Sequence, residues 1–284
     1  MNIPQALTSE ALAAWLPAER LALVRCESIL ASTNLTLMEM AGTAAPDGQV
    51  VIADRQSAGR GRLGRSFSSP GGMGIYLSYL IRPGNCSGEP TQIADWVDTT
   101  CCSAVAVSDA IAEVCDVIPQ IKWVNDLYLN DRKLCGILTQ TDVSADDGSI
   151  RAIIVGIGIN VHEEAGDFPP ELQGIATSLR LALQREISRT ALAAAVIRHM
   201  DQLRRTHFSA RTDYLNRFRA RCPMVGRDLV IRTATGDAAV TALGISDHFG
   251  LIVRYADGRE QELSSEEVIK VNMHPTSVPE VPGS

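Results

Sequence analysis

Gln56-Ser57-Ala58-Gly59-Arg60-Gly61-Arg62-Leu63-Gly64-Arg65 is the stretch around which the chain is organised. Three glycines and three arginines share its last seven positions. Glycine lets a backbone reach positive φ and come close to a ligand. Its N–H groups can line an anion cradle, and arginine forks add paired donors to phosphate or carboxylate. Such a loop is unfavourable to order alone, because its glycines lose much entropy and its arginines repel one another. It reads as mobile when empty and settled by an anionic ligand. The same composition also fits a solvated basic turn, so its surroundings decide.

Those surroundings are acidic. The 284 residues carry a formal net charge of −7, which argues against a general nucleic-acid binder and makes the basic loop a focused anion site. Hydrophobic residues make up 45% and charged residues 21% of the chain, as in ordinary globular proteins. Seven cysteines occur without any C-x-x-C pair, which points to free thiols in a reducing compartment. The N-terminus lacks a basic start followed by an apolar run, and no apolar stretch reaches the ~20 residues that cross a bilayer. The expected location is cytoplasmic, with no membrane association.

Along the chain, residues 8–16 read as a short capped helix and 21–29 as a strand. Ser32-Thr33-Asn34 then precedes a helix over 35–41. Its hydroxyls suit a helix cap, with a hydrogen-bonding wall for a polar ligand as the alternative. Residues 49–53 form a strand that delivers the basic loop, and 74–81 a second strand; 83–90 is loop and 91–117 one long buried helix. Ile121–Leu129 and Lys133–Thr139 read as the two arms of a hairpin turning at Asn130-Asp131. That hairpin brings Lys122, Asn125, Asp126 and Lys133 together, where a surface ion pair worth ~0–1 kcal/mol is the plain alternative. The β-branched run 150–161 carries Gly156 and Gly158, which mark close approach by a ligand or another backbone. Two helices follow at 189–207 and 212–221. Composition changes at Cys222-Pro223, and short strands spaced by turns over 225–271 suggest a small β barrel. The tail from His274 reads as disordered. The domain reading is therefore 1–222, 223–273 and a flexible 274–284.

Four pieces in order resemble a biotin–protein ligase: Ser32-Thr33-Asn34, Gln56-x-x-Gly-Arg-Gly-Arg-x-Gly-Arg65, Lys122-Trp-Val-Asn-Asp126 with Lys133, and Gly156-x-Gly-x-Asn160. The loop alone is weak evidence; together with the Lys-Trp-x-Asn-Asp segment it is specific. The resemblance implies an α+β fold, a mixed central β-sheet flanked by helices as in class II synthetase-like and biotin–lipoate ligases, with a small C-terminal SH3-like β barrel. It departs at Val124, where the family usually has proline, a change expected to loosen the turn or keep a strand hydrogen bond without loss of chemistry. Only 31 residues precede Ser32, so the chain resembles the monofunctional class lacking a winged helix-turn-helix and is not expected to bind an operator.

What the resemblance implies for chemistry is activation of biotin by ATP to biotinyl-5′-AMP and transfer to a lysine of a biotin carboxyl carrier domain of acetyl-CoA carboxylase. Ser32, Thr33, Asn34 and Gln56 would meet the uncharged ureido end of biotin. Trp123, Leu138 and the Tyr76–Leu77 strand would wall its apolar chain. Arg60, Gly61, Arg62 and Lys133 would act at the carboxylate and α-phosphate. Lys122, Asn125, Asn160, Gly136 and Gly158 would shape the nucleotide side, and Asp126 is the implied catalytic carboxylate for a Mg²⁺. A lipoate or octanoate ligase of the same superfamily and a biotin-responsive regulatory protein are the rival readings. Monomer and homodimer both remain open.

Overall fold

The computed structural model describes residues 6–43, 45–83, 96, 98–206 and 209–272. The expected tail, and most of the 83–90 loop, lie outside these residues. Helices α1 (Ser9–Leu12) and α2 (Ala18–Leu21) lead into strand β1 (Val24–Leu30), then α3 (Thr33–Ala41), β2 (Val50–Gln56) and β3 (Ile75–Ile81). Helix α4 (Thr99–Cys115) precedes β4 (Gln120–Lys122), β5 (Asp126–Leu129), β6 (Arg132–Val143) and β7 (Ile150–Ile159). Helices α5 (Leu179–Leu183), α6 (Arg189–Thr206) and α7 (Arg211–Arg221) follow. The chain then forms β8 (Asp228–Thr233), β9 (Gly236–Ile245), β10 (Leu251–Tyr255), β11 (Glu260–Leu263) and β12 (Val268–Asn272).

Seven strands make one mixed sheet in the order β1-β2-β3-β7-β6-β5-β4, parallel between β1 and β2 and antiparallel elsewhere. Alternation explains its two faces, because successive side chains on a strand point to opposite sides. On β7, Ile153, Val155, Ile157 and Ile159 join the core formed with α4 and α6. Ala152 and Ile154 face the other way, into a smaller cluster under α3 with Leu37, Val51 and Leu80. Continuing along that second face, the next two positions are Gly156 and Gly158. The face is therefore filled by α3 at one end and left without side chains at the other. Leu37 is fully buried and ties α3 to the sheet; Leu37→Ala would remove about 2–5 kcal/mol.

The second unit is a five-stranded antiparallel sheet in the order β11-β10-β9-β8-β12. Its apolar residues, among them Leu229, Ile231, Leu251 and Val253, belong to the same continuous core as the first unit. Phe218 of α7 meets Phe249 edge-on with ring centroids 5.5 Å apart, and the Trp123 indole N–H donates to the Phe249 carbonyl at 2.7 Å. The two units are joined by packing as well as by chain.

Three expectations need correction. The arm read as one strand over 121–129 is two, β4 and β5, separated by a turn at Trp123–Asn125, so the segment is a three-stranded meander. The Asn125 side-chain amide donates to the Ile137 carbonyl at 2.8 Å, and the Ile137 N–H returns to the Asn125 carbonyl at 3.0 Å; those bonds stitch the turn to β6. Helix α4 spans Thr99–Cys115 and stops at Asp116, short of the expected 117, where a left-handed conformation (φ 54°) ends it; residues 91–95 and 97 of the expected helix lie outside the described residues. Ser32 stands at the N-cap of α3 without a side-chain capping bond, so the capping reading of that corner fails.

Candidate active site

The side-chain-free end of the sheet face is the floor of a cavity of about 920 Å³. Gly136 pairs with Gly158, and Leu138 with Gly156, across β6 and β7. Close approach is what requires the glycines: a Cβ on Gly156 would lie 2.2 Å from Asn34 Oδ1, and one on Gly158 would lie 2.6 Å from the Phe67 ring. The expected neighbour was a ligand or backbone; the neighbours found are two side chains of the site.

One end of the cavity is neutral and hydrogen-bonded. Gln56 Oε1 accepts from the Thr33 N–H at 2.9 Å and from the Thr33 hydroxyl at 3.2 Å. Gln56 Nε2 donates to Ser69 Oγ at 3.0 Å. The buried Ser78 hydroxyl lies 2.8 Å from Thr33 Oγ1 and 2.5 Å from Asn34 Oδ1. Asn34 Nδ2 donates to the Leu138 carbonyl and to Gln140 Oε1. Short polar residues at the start of α3 thus carry an uncharged donor–acceptor set, able to match a ligand with both an acceptor and N–H donors.

The other end is cationic. Lys133 Nζ lies 2.7 Å from Asp126 Oδ1, both side chains being partly exposed. Backbone bonds from Lys133 N–H to the Ile175 carbonyl, and from Thr177 N–H to the Lys133 carbonyl, fix the lysine's position. The basic loop is a hairpin: Gly61 N–H donates to the Arg65 carbonyl, Phe67 N–H to the Gly59 carbonyl, and Leu63 at φ 56° turns the tip. Arg62 reaches from this hairpin to the Ser265 carbonyl at 2.6 Å and to Asn125 Oδ1 at 3.5 Å. Burial holds the Arg62 guanidinium below its ordinary pKa, with Asp126 opposing. Lys122 is lowered too, first by burial and then by Lys133, Lys270 and Arg65, against Asp126; its ammonium sits over the Tyr128 ring at 5.2 Å. Asn160 Nδ2 donates to the Thr177 carbonyl.

Fourteen residues expected to bind or act on substrate line this cavity: Ser32, Thr33, Asn34, Gln56, Arg60, Gly61, Arg62, Lys122, Asn125, Asp126, Lys133, Gly136, Gly158 and Asn160. Trp123, Leu77 and Leu138 line it as well, and Val124 is buried in the turn beside it, its peptide with Trp123 being cis. Tyr76 is not among the lining residues; its ring is buried and its hydroxyl faces Gly74, Pro70 and Glu163. Phe67, Ser78 and the C-terminal residues Arg232 and Val268–Asn272 were missed. The alternating Gly156 and Gly158 were the one signal that something bulky, here Phe67, lies over β7. For Arg232 and Lys270 no local pattern exists.

Glu163, beside the Tyr76 hydroxyl, is 2% exposed, and burial pushes its carboxyl up to about 7 from the ordinary 4.5. Because the folded pKa is the higher one, the folded chain holds the extra proton between those values. Stability present below pH 4.5 is therefore lost as pH rises through about 7. Glu163→Gln is expected to be near neutral at pH 5 and stabilising at pH 8, by at most about 3 kcal/mol. Thermal melts at the two pH values check this; an unchanged pH dependence in the variant would contradict it.

Residues 27–160 match the Biotin/lipoate A/B protein ligase family. The bifunctional ligase/repressor BirA of Bacillus subtilis is 34% identical over 239 residues, 84% of this chain and 71% of that protein. The chain belongs to this ligase family. A Paracoccus denitrificans biotin–[acetyl-CoA-carboxylase] ligase is 31% identical over 74% of this chain and 85% of its own length. Among solved structures, a biotin protein ligase of Aquifex aeolicus in complex with biotin and ATP shares the fold, with TM-score 0.72 at 24% identity over 88% of this chain and 99% of that one. The segment matching the ligase family carries all fourteen expected residues; the wall formed by Arg232 and Val268–Asn272 lies beyond it. Among the described residues no helix is long and apolar enough to cross a membrane, and the six described cysteines are free.

Proposed function

We propose that this ligase activates biotin with ATP and transfers it to a lysine of a biotin carboxyl carrier domain. The observation that carries the reading is the polarity of the cavity: neutral Ser32, Thr33, Asn34 and Gln56 at one end, Arg62 and Lys133 at the other. Biotin has the same polarity, an uncharged ureido head and a carboxylate tail. A lipoyl dithiolane has neither the acceptor nor the donors of a ureido group. It would leave the Thr33–Asn34–Gln56 set poorly matched, the kind of mismatch that a polar site rejects strongly.

In the first half-reaction the biotin carboxylate attacks the α-phosphate of ATP, and pyrophosphate leaves. Two anions must meet, and fixed cations at the junction offset their repulsion and stabilise the charge that develops. Arg60, Arg62 and Lys133 take that role, with Lys133 a compact charge and the arginines planar forks. Lys122, Asn125 and Asn160, with the open floor at Gly136 and Gly158, form the nucleotide side. In the second half the acceptor lysine, as the free amine, attacks the acyl carbon and AMP leaves. No enzyme nucleophile is required, and positioning supplies the rate.

A magnesium ion accompanies ATP in this reading. Asp126 and Asp131 are the acidic residues of the cavity lining, and no cluster of three or more potential metal ligands occurs among the described residues. That set suits Mg²⁺, which takes one or two carboxylates plus phosphate oxygens and water. Asp126 would hold it, and the ion when bound neutralises phosphate charge.

The deciding assay is ATP–pyrophosphate exchange with biotin or lipoate, followed by mass analysis of a carrier domain incubated with biotin and MgATP. Exchange driven by lipoate alone would overturn the biotin reading. Hydrogen exchange adds an independent check: amides of residues 59–67 should gain protection when biotin is added, and unchanged rates there would refute ligand-induced ordering of the hairpin.

A further inference from the structure

Between the basic hairpin and β3 the chain passes through residues 67–74, a limb that carries Phe67 of the cavity lining and Ser69, which holds the lining residue Gln56. The Phe67 ring lies over the Gly158 floor, and Ser69 is the partner of Gln56 Nε2. The limb itself is Phe-Ser-Ser-Pro-Gly-Gly-Met-Gly, without a helix or strand to stiffen it. Its backbone is instead held by a buried polar cluster that the chemistry above does not use.

Arg189, the first residue of α6, is the hub. It is 3% exposed. Its Nε and NH2 donate to the Gly74 carbonyl at 2.9 and 2.7 Å, and NH2 also bonds Asp54 Oδ1 at 2.8 Å. The other Asp54 oxygen accepts from the Gly72 N–H at 2.9 Å. Asp54 lies on β2 two residues before Gln56, so one side chain connects the limb to the strand that carries the head-pocket amide. On the other flank the Tyr76 hydroxyl accepts from the Gly74 N–H at 3.2 Å and lies 3.0 Å from the Pro70 carbonyl and 3.3 Å from Glu163 Oε1. The Tyr76 ring also meets Phe67 edge-on, centroids 6.4 Å apart.

Burying a guanidinium and a carboxyl group, with the Asp54 carboxylate half-buried beside them, is poor economy if the aim is only a stable core, since apolar residues of like volume commonly do as well or better. What such a cluster supplies is direction: Arg189 and Tyr76 both bond the backbone of residues 70–74, and Asp54 ties that backbone to β2. We propose that Arg189, acting with Asp54 and Tyr76, is a positioning residue for the biotin head pocket. It sets the 70–74 backbone so that Ser69 meets Gln56 and Phe67 lies over the glycine floor. Arg189 touches no substrate. The proposal rests on the biotin-ligase reading of the cavity.

Arg189→Lys keeps the charge but loses the planar fork that serves Gly74 and Asp54 together. Tyr76→Phe keeps the ring and removes only the hydroxyl. For the full-length chain, biotin affinity by calorimetry is expected to fall at least about tenfold in each variant, the loss of one buried hydrogen-bond arrangement. The KM for ATP in pyrophosphate exchange is expected to stay within about twofold, because the hydrogen-bonding groups of the nucleotide side, Lys122, Asn125 and Asn160, bond residues outside this limb. A purely structural role would lower the active fraction, and hence kcat, while leaving biotin affinity unchanged. Folded variants with wild-type biotin affinity, or with biotin and ATP weakened alike, would overturn the proposal. Should Arg189→Lys fail to fold, Tyr76→Phe decides by the same two readings. A wild-type chain that binds no biotin would instead sink the ligase reading on which the proposal stands.

Discussion

Lys133→Ala is expected to slow adenylate formation by about 10²–10³-fold while biotin still binds. The lysine is held at both its N–H and its carbonyl by the 175–177 segment, and its ammonium lies 2.7 Å from Asp126. It is thus aimed at the cationic end of the cavity before any substrate arrives. Preorganised charge of this kind acts on the transition state, because no reorganisation is needed when the two anions meet. The biotin head would be held elsewhere, by Thr33, Asn34 and Gln56, so the loss should fall on kcat more than on biotin affinity. Removing the lysine also leaves the Asp126 carboxylate facing the incoming carboxylate and phosphate. The double variant Lys133→Ala with Asp126→Asn separates the two roles of the aspartate: partial recovery assigns part of the loss to its stranded charge, and a further loss assigns Asp126 to holding the magnesium ion. Single-turnover pyrophosphate release with biotin and MgATP is the measurement, and a wild-type rate in Lys133→Ala would end the assignment.

The first unit of the fold was largely legible because its strands are strongly patterned. Runs such as Ile75–Ile81 and Ile150–Ile159 are apolar on both faces, as strands covered on two sides must be. The site was legible for a different reason: its residues come in four short local groups within residues 32–160, each chemically distinctive. What escaped was long-range. Nothing around Arg62 announces that it will bond the carbonyl of Ser265, 203 positions away, and nothing in β12 marks Lys270 as lining a cavity whose floor lies on β6 and β7. The corner at Ser32–Asn34 was ambiguous because a hydroxyl before a helix suits capping and ligand binding alike. Packing resolves it, since Ser78 and Gln56 engage Thr33 from two other strands. Tyr76 was misplaced for a related reason. Alternation puts it on the site face, yet its hydroxyl is drawn away to Gly74, Pro70 and Glu163 by a cluster no periodicity could reveal.

Arg62→Ala should fail in the opposite way from Lys133→Ala: the adenylate forms but does not stay. Arg62 spans three parts of the molecule, rooted in the basic hairpin and bonded both to Asn125 in the meander and to the Ser265 carbonyl in the turn between β11 and β12. Arg65 follows the same course more weakly, with NH2 3.4 Å from the Ile269 carbonyl. The hairpin is therefore latched across the cavity mouth by its arginines, while its glycines leave it little stiffness of its own. Hydrogen bonds from a charged donor are each worth about 1.5–3 kcal/mol, so losing the latch is expected to speed adenylate escape by about 10–100-fold. Biotin itself should still bind, because its head is held at the far, neutral end. An acyl-adenylate released to solvent reacts with any exposed amine, so the variant should label lysines of a bystander protein that the wild type leaves alone. Gel filtration after a single turnover reads the retention directly, and bystander labelling reads its consequence. A variant that kept its adenylate as tightly as wild type would show that the hairpin is closed by something other than Arg62, and the Ser265 contact would then lose its assigned purpose.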